Sequence, residues 1–348
     1  MHVTELETPS VLIDLDVMTR NIQRMQAHCD ALGIAFRPHI KTHKLPEIAR
    51  MQLEAGAVGI ACQKTTEAMI FADAGFDDIQ IPYNVVGPQK TARLAEMAAR
   101  GIRVTTSADD PVVVDGLQQA ATAAGVTLNV LADLGTFIQR TGTDPAGVRA
   151  VARRITESPG LHFAGVLVYP SNVSSRPALQ EALRLLEADG LPVEMVSGGG
   201  SGAVQDAAHI PELTELRVGT YVFYDWSSVS KGWAALDDCA MRVAATVIST
   251  PAPDRVILDS GRKSIASDTI DDGYGYIVEY PDARIYNLSE EHTHVDVSAC
   301  AGKPAIGERV HVIPVHTCVV TNLHNQIYGV RDDMVEITWP VAARGLVW

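Results

Sequence analysis

The chain is poor in aromatic residues, in cations and in paired cysteines, and each shortage removes a class of function. Phe, Trp and Tyr make up 5% of the 348 residues within a 47% hydrophobic composition, so the core must be aliphatic, as is usual for an α/β enzyme. Lys and Arg number 28 against 42 Asp and Glu, a formal net charge of −14. Such a surface repels both nucleic acid and anionic membranes, which leaves a small molecule as the expected ligand. Five cysteines (Cys29, Cys62, Cys239, Cys300 and Cys318) are odd in number, scattered and without CxxC spacing, which argues against a disulfide framework. The opening MHVTELETPS has neither the basic nor the apolar block of a signal peptide, and no apolar run approaches a membrane span. A soluble cytoplasmic protein is the expectation.

From Ile34 to about Asp225, short β-rich runs alternate with segments that are apolar at helical spacing and end on glycine. The strands are AFRPHI, VGIACQ, IQIPYN, RVTTSA, LNVLAD, GVLVYP, EMVSGG and LRVGTYVF. Eight βα units in about two hundred residues predict a (β/α)8 TIM-type barrel, an α/β fold with its reactive groups at the C-terminal ends of the strands. A doubly wound open sheet is the alternative. After about Trp226 the rhythm becomes β-runs without long helices: MRVAATVIST, RVILDSG, YGYIVEYP, ARIYNLSE, HTHVDVS, ERVHVIPV and MVEITWPVAARG. This predicts a smaller all-β domain that also takes the N-terminal strand SVLIDLD. The expected division is 17–232 for the barrel and 1–16 plus 233–348 for the β-domain.

FRPHIKTHK is the most telling segment. It sets Lys41 just past a short strand among two histidines and further cations, surroundings that lower an amine's pKa and make it a nucleophile toward carbonyls. A solvated basic turn opening a helix reads as well from this segment alone. His39 and His43 are candidates for acid–base work or for capping the loop. At the opposite strand ends, SGGGSG and RVGTYVF place glycines and Thr220 in the loops after strands seven and eight, where barrel enzymes bind phosphate. A reactive lysine facing an anion site describes a phosphate-bearing aldehyde, and pyridoxal 5'-phosphate fits both ends. In HTC, His316 and Cys318 stand two apart; on a strand they share a face and offer two positions to one metal ion, or are an ordinary strand histidine and a small buried cysteine. His292 and His294 are weaker candidates for the site, and Asp259 with Lys263 suggests an ion pair or turn.

TPSVLIDLD, RPHIKTHK, LEAGAVGIACQKTTEA, VSGGGSG, LRVGTYVF, PAPDRVILDSGRKS and PVHTCVVTNLH together resemble the D-threonine aldolase and eukaryotic-type D-serine dehydratase family, which has the alanine-racemase fold (fold type III of the pyridoxal-phosphate enzymes). The resemblance runs nearly end to end. It implies that Lys41 forms the Schiff base with the cofactor, that Gln63 and Tyr169 lie near its pyridine ring, and that Arg140 of RTG lies near the ring hydroxyl. It also sets Gly199, Gly200, Gly219, Thr220 and Tyr221 around phosphate or ring, and implies a homodimer whose β-domain helps build the site.

The same resemblance implies a divalent metal on His316 and Cys318. Cysteine at the second position is typical of the dehydratases with zinc, whereas aspartate with manganese is frequent in the aldolases. Where relatives often carry a histidine shortly after the strand-six tyrosine, this chain has Asn172, so the acceptor for a substrate hydroxyl proton stays open. The leading expectation is a lyase that cleaves D-β-hydroxy amino acids to glycine and an aldehyde. The alternative is a D-serine or D-threonine dehydratase; an amino-acid racemase and a non-catalytic carrier of the cofactor follow, and neither explains the metal pair.

Overall fold

The computed structural model describes residues 1–271 and 273–348. Its contacts divide the chain into two compact units, Met1–Arg24 with Thr42–Leu45 and Thr220–Gly345, and Met25–Lys41 with Pro46–Gly219 and Leu346–Trp348. The first strand, β1 (Ser10–Asp14), belongs to the former, and the helix after it, α1 (Leu15–Leu32), runs from one unit into the other.

The second unit holds eight strands: β2 (Ala35–Phe36), β3 (Ile60–Ala61), β4 (Asp78–Asn84), β5 (Arg103–Ala108), β6 (Leu128–Leu134), β7 (Leu161–Val168), β8 (Met195–Gly199) and β9 (Glu215–Arg217). They pair in parallel in the order β2-β9-β8-β7-β6-β5-β4-β3. A parallel bridge between His39 and Ala61 joins the two edges, so the sheet closes into the expected barrel. The crossovers carry α2 (Pro46–Glu54), α3 (Thr65–Asp73), α4 (Pro88–Ala99), α5 (Pro111–Ala124), α6 (Pro145–Thr156) and α7 (Arg176–Ala188).

Local chemistry sets these helices. Asp110 and Asp144 cap α5 and α6 by accepting from Val112 N and Gly147 N, each with proline at the next position. Val148, Val151, Ala152 and Ile155 form one buried stripe on α6 at helical spacing. The last barrel strand is shorter than LRVGTYVF suggested: after Arg217 the chain turns into a 3-10 helix at Thr220–Val222.

The first unit is a β-domain. Its strands are β1, β10 (Met241–Ala252), β11 (Arg255–Leu258), β12 (Gly275–Ile277), β13 (Arg284–Leu288), β14 (Thr293–Asp296), β15 (Arg309–Pro314), β16 (Gln326–Arg331) and β17 (Met334–Pro340), with the short helices α8 (Trp226–Ser230), α9 (Arg262–Ile265) and α10 (Thr317–Leu323). The N-terminal strand is captured as predicted: β1 pairs antiparallel with β10 (Ser10↔Ala244) and parallel with β16 (Leu12↔Tyr328).

Three readings are corrected here. HTC does not lie on a strand; His316 precedes α10 and Cys318 is inside its first turn. The strand β16 was not foreseen. Asp259 and Lys263 do not form the ion pair, which leaves the turn: Asp259 accepts from Thr246 N and Thr8 Oγ1, while Lys263 meets Glu290 and Glu291. Among the described residues no helix is long and apolar enough to cross a membrane.

Candidate active site

The barrel interior carries a buried polar layer that fixes which side chains point inward. Gln80 of β4 donates across the barrel to Glu215 of β9 at 3.1 Å and to Ser197 of β8 at 3.4 Å. Ser197 Oγ donates to Glu215 Oε1 at 2.6 Å and accepts from Arg217 Nε at 2.7 Å. Arg37 donates to Glu215 at 2.7 Å and to Asp78 at 2.6 Å. Gly59 is required beside it, because a Cβ there would strike the Arg37 guanidinium. Alternation along each strand then carries the inner side upward to His39, Gln63, Asp133, Tyr169 and Gly199.

Around these strand ends the candidate residues meet in pairs, His39 with Gln63 and Arg140 with Tyr169. Lys41 is partly buried in a 3-10 turn, Ile40–Thr42, and its ammonium has no hydrogen-bond or ion-pair partner among the described residues. His39 Nε2 lies 3.2 Å from Gln63 Oε1, and Gln63 N donates to Glu67 Oε2 at 2.6 Å, so the first turn of α3 fixes Gln63 and Gln63 orients His39. Arg140 lies over the Tyr169 ring, 4.3 Å from its centroid. Lys64 Nζ donates to Tyr83 Oη at 3.2 Å and stands over that ring.

The glycine run is only in part a ligand feature. Gly198 is needed because a Cβ would lie 2.5 Å from Ser171 Oγ, and Gly199 because it would lie 2.5 Å from Arg217 O; Gly200 takes φ +116°, a left-handed conformation that favours glycine. Gly219 closes the barrel unit just beyond β9.

Two buried ionisable groups at the strand ends are displaced. Burial, the largest influence, raises the Asp133 carboxyl to about 6; Thr141 hydrogen bonding opposes it, Asp109 adds to it, and Arg217 and Arg140 oppose it. Burial also pulls Arg217 down to about 10 against the charges of Glu215, Asp133 and Tyr169, which leaves it a cation at neutral pH.

In the β-domain unit, Asp225 organises the second constellation. Its Oδ1 accepts from Ser228 N at 2.9 Å and Ser228 Oγ at 2.6 Å, capping α8; its Oδ2 accepts from Thr317 N at 3.4 Å and from His316 Nδ1 at 3.1 Å. His316 is thereby turned with Nε2 free of Asp225, the arrangement by which a carboxylate orients a metal-binding imidazole. Burial lowers the His316 pKa, but the hydrogen bonds and charges of Asp225 and Cys318 outweigh it and push it up to about 11. Cys318 Sγ lies 3.3 Å from Thr42 Oγ1. His43 is fully buried, and its Nδ1 accepts from Leu45 N at 3.1 Å, the loop-capping alternative. Thr220 and Tyr221 are buried in the 3-10 turn that ends shortly before Asp225.

These donors suit the groups the sequence implied. A partly buried amine without a partner among the described residues matches covalent attachment of an aldehyde, and Arg140 stacked on Tyr169 offers a cation and a ring face at one strand end. His316 and Cys318 are a nitrogen and a sulfur donor suited to a borderline-soft divalent ion. Among the described residues no three His, Cys, Asp or Glu side chains form a preformed metal cage, so water or substrate would complete the coordination. Asp225 was missed from the sequence; its signal was the capping pattern DWSS.

A (β/α)8 barrel with a lysine past its first strand and a β-domain that takes both chain ends' strands defines an alanine-racemase-like enzyme, fold type III of the pyridoxal-phosphate enzymes. The comparisons agree: residues 13–225 match the alanine racemase N-terminal domain and residues 240–330 the putative serine dehydratase domain. The D-threonine aldolase of Arthrobacter sp is 36% identical over 361 residues, which cover 99% of this chain and 94% of that one. The crystal structure of D-threonine aldolase from Filomicrobium marinum superimposes with TM-score 0.90 at 29% identity, over 99% of this chain and 97% of that one. D-threo-3-hydroxyaspartate dehydratase from Delftia sp. HT23 follows with TM-score 0.88 at 27% identity, over 97% and 98%; a cysteine-to-alanine mutant of a protein of that name is known in a metal-free form. The chain belongs to the D-threonine aldolase and D-serine dehydratase family.

Proposed function

We propose that the protein is a pyridoxal-phosphate- and divalent-metal-dependent lyase that cleaves D-β-hydroxy amino acids, as D-threonine aldolase is named for doing. The observation that carries this reading is the 36% identity, end to end, with the Arthrobacter enzyme. Pyridoxal phosphate, when bound, draws the electrons of a bond breaking at the substrate's Cα into its ring. Lys41 would hold it, with Gln63, Arg140 and Tyr169 about the ring and Gly199, Gly200, Gly219, Thr220 and Tyr221 about ring or phosphate.

His316 and Cys318 would hold a zinc or manganese ion, which would supply a Lewis-acid charge at the substrate's β-hydroxyl. Asp225 keeps the His316 ring in the tautomer that presents Nε2. His39, oriented by Gln63, stands two residues from the Lys41 amine, which exchanges a proton with Cα. His43 stabilises the loop.

Dehydration to an α-keto acid and ammonia is the second reading, favoured by one feature, the Cys318 sulfur in place of a harder carboxylate oxygen. In that route the Lys41 amine removes the Cα proton and the β-hydroxyl leaves. Both reactions use the same residues.

The reading includes a cytoplasmic homodimer in which the partner copy's β-domain helps build the site, while Cys318, 3.3 Å from Thr42, serves the Lys41 of its own chain. Incubation with D-threonine and D-serine, with and without chelator, tests the reaction. Glycine with acetaldehyde selects cleavage; ammonia with 2-oxobutanoate or pyruvate selects dehydration. Sedimentation velocity tests the assembly: a dimer supports the reading, and a monomer rejects it.

A further inference from the structure

The loop that carries Arg140 is tied at its base by two carboxylates with no part in the chemistry above. The chain leaves β6 at Leu134 and returns at Thr143, where Gly135 N donates to Thr143 O at 2.8 Å and Thr143 N donates to Asp133 O at 3.0 Å. Leu134 and Thr143 form a parallel bridge. Gly142 sits at φ +94°, and a Cβ there would strike the Gly135 backbone, so the base is closed.

Two side chains lock that base. Asp133 Oδ2 accepts from Thr141 Oγ1 at 3.0 Å, and Asp109 Oδ2 accepts from Gly142 N at 2.8 Å. On the near limb, Thr136 Oγ1 donates to Tyr169 O at 2.8 Å. Beyond these anchors the loop has little to hold it. Phe137, Ile138, Gln139, Arg140 and Thr141 are all exposed, and a segment with so few buried contacts opens locally at low cost.

We propose that Asp133 is the positioning residue for Arg140: its carboxylate, at the inward end of β6, holds Thr141 and so sets the neighbouring guanidinium over Tyr169. The proposal deepens the reading of Arg140 as a cofactor residue and rests on it only for the consequence at the cofactor. Asp133 is 5% exposed, and an ionised carboxylate at such a position is costly to fold. The hydrogen bond from Thr141 Oγ1 offsets part of that cost and fixes the acceptor oxygen on the loop.

The test uses the full-length protein as purified. Trypsin cleavage after Arg140, followed by mass spectrometry, reads the loop's order directly and does not depend on turnover. Absorbance titration with pyridoxal phosphate reads the consequence. Asp133→Ala and Thr141→Val each remove one side of the bond, and both should raise the nicking rate and weaken cofactor binding by about ten-fold. Asp133→Asn keeps an acceptor oxygen for Thr141 and should stay within about three-fold of the parent in both readouts.

Parent-like nicking in Asp133→Ala, or Asp133→Asn as open as Asp133→Ala while melting like the parent, overturns the proposal. Arg140→Ala separates the two layers. If it binds cofactor as tightly as the parent while Asp133→Ala still nicks faster, the positioning proposal stands and the cofactor role of Arg140 falls.

Discussion

Arg37 and Lys41 lie four residues apart on the same strand-to-loop run and are treated in opposite ways. Arg37 is buried in the barrel interior between Asp78 and Glu215, and Glu215 is further satisfied by Gln80 and Ser197. One turn of chain higher, the Lys41 amine has no partner among the described residues, and Asp133 keeps a carboxyl displaced upward. A buried charge that is fully paired serves the fold, because removing either partner strands the other. A group left unpaired at a strand end is available to a ligand, whereas Asp133 is engaged by Thr141. The two layers should therefore fail differently when mutated.

The largest effect is expected from breaking the lower layer. Arg37→Ala leaves Glu215 buried without its cation and should destabilise the protein by about 3–5 kcal/mol, read by denaturant unfolding. Lys41→Ala should unfold at the parent's denaturant concentration and lose all turnover. An Arg37→Ala protein as stable as the parent would dissolve the distinction.

The metal pair comes next. Cys318→Ala or chelation should lower turnover of β-hydroxy substrates by about a hundred-fold or more, with the cofactor spectrum and melting temperature little changed. Asp225→Asn removes the acceptor that orients His316 and should weaken metal binding by about 10–100-fold, read by isothermal titration. Metal affinity equal to the parent's would limit Asp225 to capping α8 and supporting α10.

Asp133 gives the smallest effect and a defined pH window. Its folded pKa, about 6, lies above the ordinary carboxyl value of 3.8, so its contribution favours the folded state below pH 3.8 and is lost as pH rises through 6. Asp109, Arg140 and Arg217 are the charged groups that face it. Asp133→Asn should thus be more stable than the parent by about 1–2 kcal/mol at pH 7, with the difference shrinking toward pH 4. A difference that grows on acidification would reverse the assignment of burial as the dominant cause.

The barrel strands were legible because each is a short apolar run bounded by a helix with its own cap or terminal glycine. The β-domain was legible for the same reason, except at two places. The strand β16 was lost because its hairpin to β17 turns on Asp332 and Asp333, both at positive φ, without the glycine that usually marks such a turn. HTCVVT has the β-branched character of a strand, but Asp225, ninety-two residues away, accepts from Thr317 N and seeds a helix instead. No local pattern contains that contact. Of the residues named from family motifs, Tyr169 and Gly199 stand at barrel strand ends while Lys41, Thr220 and Tyr221 lie in 3-10 turns and Cys318 in a helix; Asp225 and Asp133 act through hydrogen bonds and were invisible to motif reading.

The Lys41 amine, without a partner among the described residues, is the group expected to hold the cofactor. Borohydride reduction of the purified protein after addition of pyridoxal phosphate, followed by peptide mass spectrometry, tests it directly. The expected result is one covalent adduct, on the peptide containing Lys41 and on that residue. Labelling of Lys44 or Lys64 instead, or a Lys41→Ala protein that retains a stoichiometric reducible adduct, would contradict the account.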